Sequence, residues 1–135
     1  MPAHQTPHRV RFHELDPYDH VNHAMYVTYF EIGRVDALDA IDLGLDKLKT
    51  QGFQFVVTRL DVRFRKAATA GEDLVVHTGV SEFGRASTVW SQEIIRGDDR
   101  IATATVTVAI TDSNGRPTRP PPFMFEQLEV LFVDD

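Results

Sequence analysis

Five residues able to do chemistry crowd into eight positions: Asp16, Asp19, His20, Asn22 and His23 within "DPYDHVNH". A carboxylate can attack an electrophilic carbon directly, or take a proton from a water molecule and aim it. Histidine changes charge near neutrality and can relay a proton or contact a ligand. A helix opening just after such a carboxylate would add its own contribution. Its first N–H groups lack partners and carry the positive end of the dipole, which suits an oxygen that is becoming negative. Residue type alone offers a plainer account, with Asp16 a turn residue before Pro17 and Asn22 an N-cap. That account covers one or two of the five residues.

His20 and His23, three apart, can share a metal-ligand face with Asp16 or Asp19. No third and fourth ligands follow at a recognisable spacing, His77 stands alone, and the chain has no cysteine. No metal is therefore expected. No glycine-rich phosphate cradle is present, and the sequence asks for no cofactor.

The elements that must position this cluster can be read from periodicity. "HRVRFH" (8–13) alternates, with Val10 and Phe12 on one face, and predicts a half-buried strand. From Asn22 to Ala40 the chain reads as a helix that is apolar nearly all round, broken at Thr28, Glu31, Arg34, Asp36 and Asp39, so it should be wrapped by other structure. Glu31 and Arg34 are spaced for an i, i+3 ion pair. "DLGLDKLKTQG" closes the helix, with Gly44 and Gly52 as turn points.

From Phe53 the period changes to two. "FQFVVTRLDVRFR" sets Phe53, Phe55 and Val57 in one phase and Leu60, Val62 and Phe64 in the other, which predicts a β-bulge between Val57 and Arg59. Strands follow at 73–80, 86–95 and 101–110, joined by hairpin-length links. The tail "FMFEQLEVLFVDD" fits either a last helical turn or an edge segment. One strand, a buried helix and a four-strand meander make an α+β fold: a five-stranded antiparallel sheet curled around a long central helix. Trp90 and Tyr26 read first as core.

At 135 residues the chain has the size of one domain, so residues 1–135 are expected to form a single unit. A net charge of −6 argues against a nucleic-acid-binding face. There is neither the apolar core of a signal peptide nor an apolar run long enough to span a bilayer, and with no cysteine the expectation is a cytoplasmic protein without membrane contact.

The stretch "ELDPYDHVNHAMYVTYFEIGR" (14–34) resembles the opening motif of hotdog-fold acyl-CoA thioesterases of the 4-hydroxybenzoyl-CoA thioesterase type. In that family an Asp precedes a loop of His-Val-Asn character and a helix with an aromatic-acid-x-x-Arg core. Here these are Asp16, "HVN" at 20–22, Tyr26 and "YFEIGR" at 29–34, and "VRFRKAATAGEDLVVHT" (62–78) also fits. The chain departs at Asp19, where relatives often carry Gly.

The resemblance implies a hotdog fold and hydrolysis of an acyl-CoA or acyl-carrier-protein thioester. Asp16 would be nucleophile or general base, and the helix N-terminal amide at about His23 would polarise the carbonyl. His20, Asn22 and Tyr26 become candidates for substrate contact. For the carrier phosphates, "TRLDVRFRK" offers Arg59, Arg63, Arg65 and Lys66, and the resemblance favours Arg85 with Ser87. A sister group carries its acid on the helix, which makes Glu31 the reserve nucleophile. Relatives pair edge to edge into homodimers, often again into homotetramers, with the active site at the seam, so Arg85 would serve a neighbouring subunit's ligand. Two other functions fit the same fold: an acyl-thioester hydratase or dehydratase using Asp16 and His20 as a dyad, and an acyl-CoA-binding module without turnover.

Overall fold

The computed structural model describes residues 3–134. Five strands, β1 (His4–Arg9), β2 (Gln54–Phe64), β3 (Asp73–Phe83), β4 (Ser87–Arg96) and β5 (Asp99–Thr111), form one antiparallel sheet in the order β1-β3-β4-β5-β2. Because β1 and β2 lie at opposite edges, the chain between them must cross the whole sheet. Helix α1 (His23–Ala40) makes that crossing, and a short α2 (Leu45–Thr50) delivers the chain to β2. This is the hotdog architecture.

One face of the sheet is apolar and the other polar. Thr88, Trp90, Gln92 and Ile94 of β4 and Ala104, Val106, Val108 and Ile110 of β5 point inward and are buried, alternating with outward residues. Against them α1 sets Tyr26, Tyr29, Phe30, Gly33, Ala37 and Leu38, a single stripe at helical spacing. The closest approach is at Gly33, where an added Cβ would stand 2.7 Å from a Val76 methyl and 2.8 Å from Thr78 Oγ1. Register shifts at Val57/Arg59, Val80/Glu82 and Ile94/Ile95 help bend the sheet over the helix. The first falls where the phase slip in the sequence placed it.

Four readings need correction. The first strand is His4–Arg9, not 8–13: Val10 is buried, but Phe12 enters a 3-10 turn (Phe12–Glu14) and is 83% exposed. Backbone pairing with β3 defines this edge strand, and Pro7 is tolerated there because an edge leaves one row of donors unpaired. The segment expected as a simple closing turn contains α2. The helix is covered on one face only, leaving Val27 and Ile32 exposed. Finally, Arg34 makes no ion pair with Glu31; it turns inward to Gln92 while Glu31 stays exposed. The tail combines both options, a helix α3 (Pro122–Leu128) and a 3-10 turn, then a bridge from Phe132 to Val80.

Candidate active site

The loop from Leu15 to Asn22 is folded onto itself and pinned at both ends. Leu15 and Val21 form an antiparallel bridge, and the Asp16 N–H donates to the His20 carbonyl at 2.7 Å. Asp16 Oδ1 accepts N–H bonds from Tyr18 (2.8 Å) and His20 (3.1 Å), an Asx turn. Its second oxygen, Oδ2, has no protein donor among the described residues. The plain and the functional roles of Asp16 are therefore compatible, since one oxygen builds the turn and the other is left for a ligand. The backbone at Asp19 is left-handed, with φ 63. That conformation favours Gly, and Asp is among the few other residues that tolerate it.

A buried brace that residue type alone did not reveal holds the loop to the fold. Glu14, 5% exposed, accepts bonds from the Arg11 N–H (2.8 Å), the Tyr29 hydroxyl (2.8 Å) and His8 Nε2 (3.1 Å). Burial opposes ionisation of Glu14, but these donors outweigh it and hold the carboxyl below the usual range. Burial first, then the Glu14 carboxylate, pushes the Tyr29 hydroxyl well above its ordinary value. The Glu14 carbonyl also takes the Asn22 N–H at 2.8 Å, which ties the brace to the start of α1. Two residues before the expected nucleophile, an acid facing a Tyr fifteen positions on is the kind of signal that only a three-dimensional contact makes visible.

On the other side the loop rests on residues 65–72. The Val21 N–H donates to the Ala68 carbonyl at 2.8 Å, and His20 bridges to Thr69. Arg96 fixes this shelf through the Ala67 carbonyl (2.9 Å) and Glu72 (3.0 Å).

At the helix start Asn22 is the N-cap, its Oδ1 taking the Ala24 N–H at 2.9 Å. The neighbouring His23 N–H meets no acceptor among the described residues, so it is the amide free to receive a ligand oxygen. The His23 ring stands edge-on to Phe64 at 6.5 Å, and Phe64 also packs on Tyr26. Tyr26 is buried and its hydroxyl accepts the Ala68 N–H at 3.2 Å. Burial chiefly, with smaller contributions from Glu72 and Asp16, raises its pKa, so the Asp16 carboxylate lies within electrostatic reach of the first turn of α1.

Asp16, His20, Asn22, His23 and Tyr26 are thus brought together at one end of the sheet. The His20 side chain is exposed and does not bond Asp16, so no Asp–His dyad forms. Arg65, exposed just beyond β2, lies at the same end. Arg85 and Ser87 do not. They sit at the β3–β4 hairpin, where Ser87 pairs with Ala109, which pairs with Val56. Val56 and Phe64 are eight residues apart on β2, so the hairpin is roughly 25 Å from the helix start within one chain. None of the three main cavities is lined by Asp16 or His23. Among the described residues no group of three His, Cys, Asp or Glu could hold a metal ion, and no helix is long and apolar enough to cross a membrane.

Residues 10–128 match the family model described as the thioesterase-like superfamily. The chain is 33% identical over 107 residues to the acyl-CoA thioesterase YbgC of Haemophilus influenzae, covering 78% of this chain and 79% of that one. It is 28% identical to the chloroplastic acyl-acyl carrier protein thioesterase ATL2 of Arabidopsis thaliana over 87% of its length, and spans 64% of that longer relative. Among solved structures, a Thermus thermophilus thioesterase complexed with coenzyme A and Zn superposes with a TM-score of 0.85 at 25% identity, covering 96% of this chain and 94% of that one.

Proposed function

Because the chain belongs to the thioesterase-like superfamily, we propose that it hydrolyses acyl thioesters of coenzyme A or of an acyl carrier protein to the free acid and the thiol. The observation that carries the reading is the pairing at the head of α1: a carboxylate with one oxygen tied down and one free, beside a helix whose His23 N–H is unclaimed.

In this reading the thioester carbonyl oxygen accepts the His23 N–H, and the helix dipole stabilises the negative charge that grows there. Asp16 Oδ2 then works in one of two ways. It attacks the carbonyl carbon, expelling the thiolate and leaving an anhydride for water to open. Or it takes a proton from a water that attacks the same carbon, and the thiolate leaves with a proton. The turn bonds from Tyr18 and His20 keep the carboxylate aimed in both cases. Asn22 contributes by occupying the Ala24 amide, so that a single donor is presented.

The carrier's phosphates need cations that the acidic chain supplies only locally. Arg65 is at hand, while Arg85 and Ser87 are at the far hairpin. A homodimer resolves this. The β2 edge is eleven residues long, and Val56, Val57, Leu60 and Phe64 on it are 39–53% exposed. An unpaired apolar edge of this kind is a template for another strand. Two copies joined antiparallel through β2 bring the hairpin of one beside the helix start of the other. The exposed Val27 and Ile32 of α1 offer such dimers a surface for pairing again into tetramers. A chain without cysteine or a membrane-crossing helix suits the cytoplasm.

The test is thiol release from a panel of acyl-CoA and acyl-carrier-protein thioesters, with Asp16→Asn as control. At least one substrate should be turned over, and the variant should be nearly inert. Absence of thiol release across the panel would overturn the reading.

A further inference from the structure

A cavity of about 210 Å³ opens between the second half of α1 and the first half of β2, walled by Leu38, Phe55, Val57 and Trp90 among others. Its walls are otherwise apolar, but two charged groups line it, Arg34 and Glu31. Arg34 is 9% exposed; its Nη1 donates to Gln92 Oε1 at 2.9 Å, and no carboxylate pairs with it among the described residues. Buried guanidinium groups ordinarily have a charged partner or a full set of acceptors. Among the described residues no fully buried side-chain nitrogen lacks a partner, so the Arg34 nitrogens without a protein acceptor retain some access, and Arg34 lines the cavity. Glu31, one turn earlier, faces the same space without bonding Arg34.

An unpaired donor and an unpaired acceptor therefore share one apolar cavity. A methyl terminus would satisfy neither, and a carboxylate would be repelled by Glu31. A hydroxyl matches both, accepting from the guanidinium and donating to the carboxylate. Between this cavity and the site, Leu60 and Phe64 of β2 are 39% and 53% exposed, and Phe64 meets the His23 ring at 6.5 Å. Eleven residues of helix separate His23 from Arg34, about 16 Å. The Arg34 side chain leans back towards the N-terminus, so a chain of about ten carbons spans the gap.

We infer that the acyl group runs from the His23 amide along the α1–β2 trough and ends in a hydroxyl held between Arg34 and Glu31. The preferred substrates are then medium-chain ω-hydroxyacyl thioesters. This rests on the thioesterase reading above, and the test separates the two by using thioethers, which bind but cannot be hydrolysed. Calorimetric titration with S-decyl-CoA and S-(10-hydroxydecyl)-CoA should show the hydroxylated ligand binding about tenfold more tightly. Arg34→Met should abolish the preference. Glu31→Ala, at an exposed position where folding is not at risk, should reduce it severalfold. Equal affinity for the two ligands, binding of neither, or a preference that survives both substitutions would overturn the assignment. If the thioethers behave as expected but no thioester releases thiol, the hydrolase reading fails and the cavity assignment stands. If thioesters are cleaved and the thioethers are not distinguished, only the cavity assignment fails.

Discussion

The two ends of the sheet are built to opposite standards. At the helix end, backbone bridges, the Glu14 brace and the Arg96-supported shelf fix the Asp16 loop on both sides. At the hairpin end, Arg85 is exposed, carries no described hydrogen bond, and extends from a tight link in which the Gly84 N–H donates to the Ser87 carbonyl at 2.8 Å. The first arrangement suits bond-making, where sub-ångström placement matters. The second suits a point charge meeting a flexible polyanion, where reach matters more. If both regions serve one substrate, as proposed, a second copy of the chain has to bring them together.

Substitutions can break this contrast, beginning with the strongest. Asp16→Asn keeps the Asx turn, because an amide oxygen still accepts from Tyr18 and His20, but lacks the charge for attack or proton transfer. Turnover should fall by about 10²- to 10⁴-fold with the thermal midpoint unchanged; activity within threefold of the parent would remove Asp16 from the chemistry. Val56→Lys places a charge on the open β2 edge, on the face away from the helix. It should shift sedimentation towards monomer and lower activity with it, because the two halves separate. An active monomer would show that one chain suffices.

Glu14→Gln weakens the brace and should cost about 1–3 kcal/mol of stability in chemical denaturation. The pH dependence has a definite sign. Since the folded-state pKa lies below the ordinary glutamate value of 4.5, the stabilisation from Glu14 is complete above about that pH. It is lost as the pH falls through the depressed folded value. The parent should therefore lose stability in that acid range and the variant should lose less. An identical acid limb in both would discount the brace. At the hairpin end, Arg85→Ala should raise KM for CoA substrates about tenfold with kcat within twofold and stability untouched. An unchanged KM would mean that Arg85 meets no phosphate. Smallest of all, Asp19→Gly should relieve the left-handed backbone by up to about 1 kcal/mol, read as a raised thermal midpoint.

Periodicity made most of the architecture legible. The strict alternation of β5, the phase slip at Val57 and the long apolar run of α1 each have one reading. What escaped was structure defined by partners, not pattern. β1 is held by its ladder to β3 despite carrying little apolar character and a proline, and α2 is too short to establish a helical period. Arg34 turned away from the neighbour that its spacing suggested and, despite the cost of desolvation, donates to the buried Gln92 carbonyl oxygen, a partner 58 positions on that no helical spacing could reveal. In the candidate site, the turn at Asp16 and the cap at Asn22 were visible because helix starts and turns use few residue types. Glu14 was not, because its partners His8 and Tyr29 come from β1 and α1 and meet only after folding. The hairpin cation Arg85 was legible as a charge, and only the resemblance suggested that it would serve a neighbouring subunit's ligand.

The bulge in β2 has a consequence for how this edge can vary. Thr58 is the residue without a counterpart on β5, and it lets Phe55 and Val57 face the helix together with Leu60, Val62 and Phe64. Deleting that one position would leave the strand's length and composition almost intact. It would, however, rotate one segment by half a pleat, turning its side chains out into water and exposing the trough beneath. Insertions and deletions at Thr58 should therefore be far more harmful than substitutions there, and a deletion library across 54–64 should show its deepest dip at this joint.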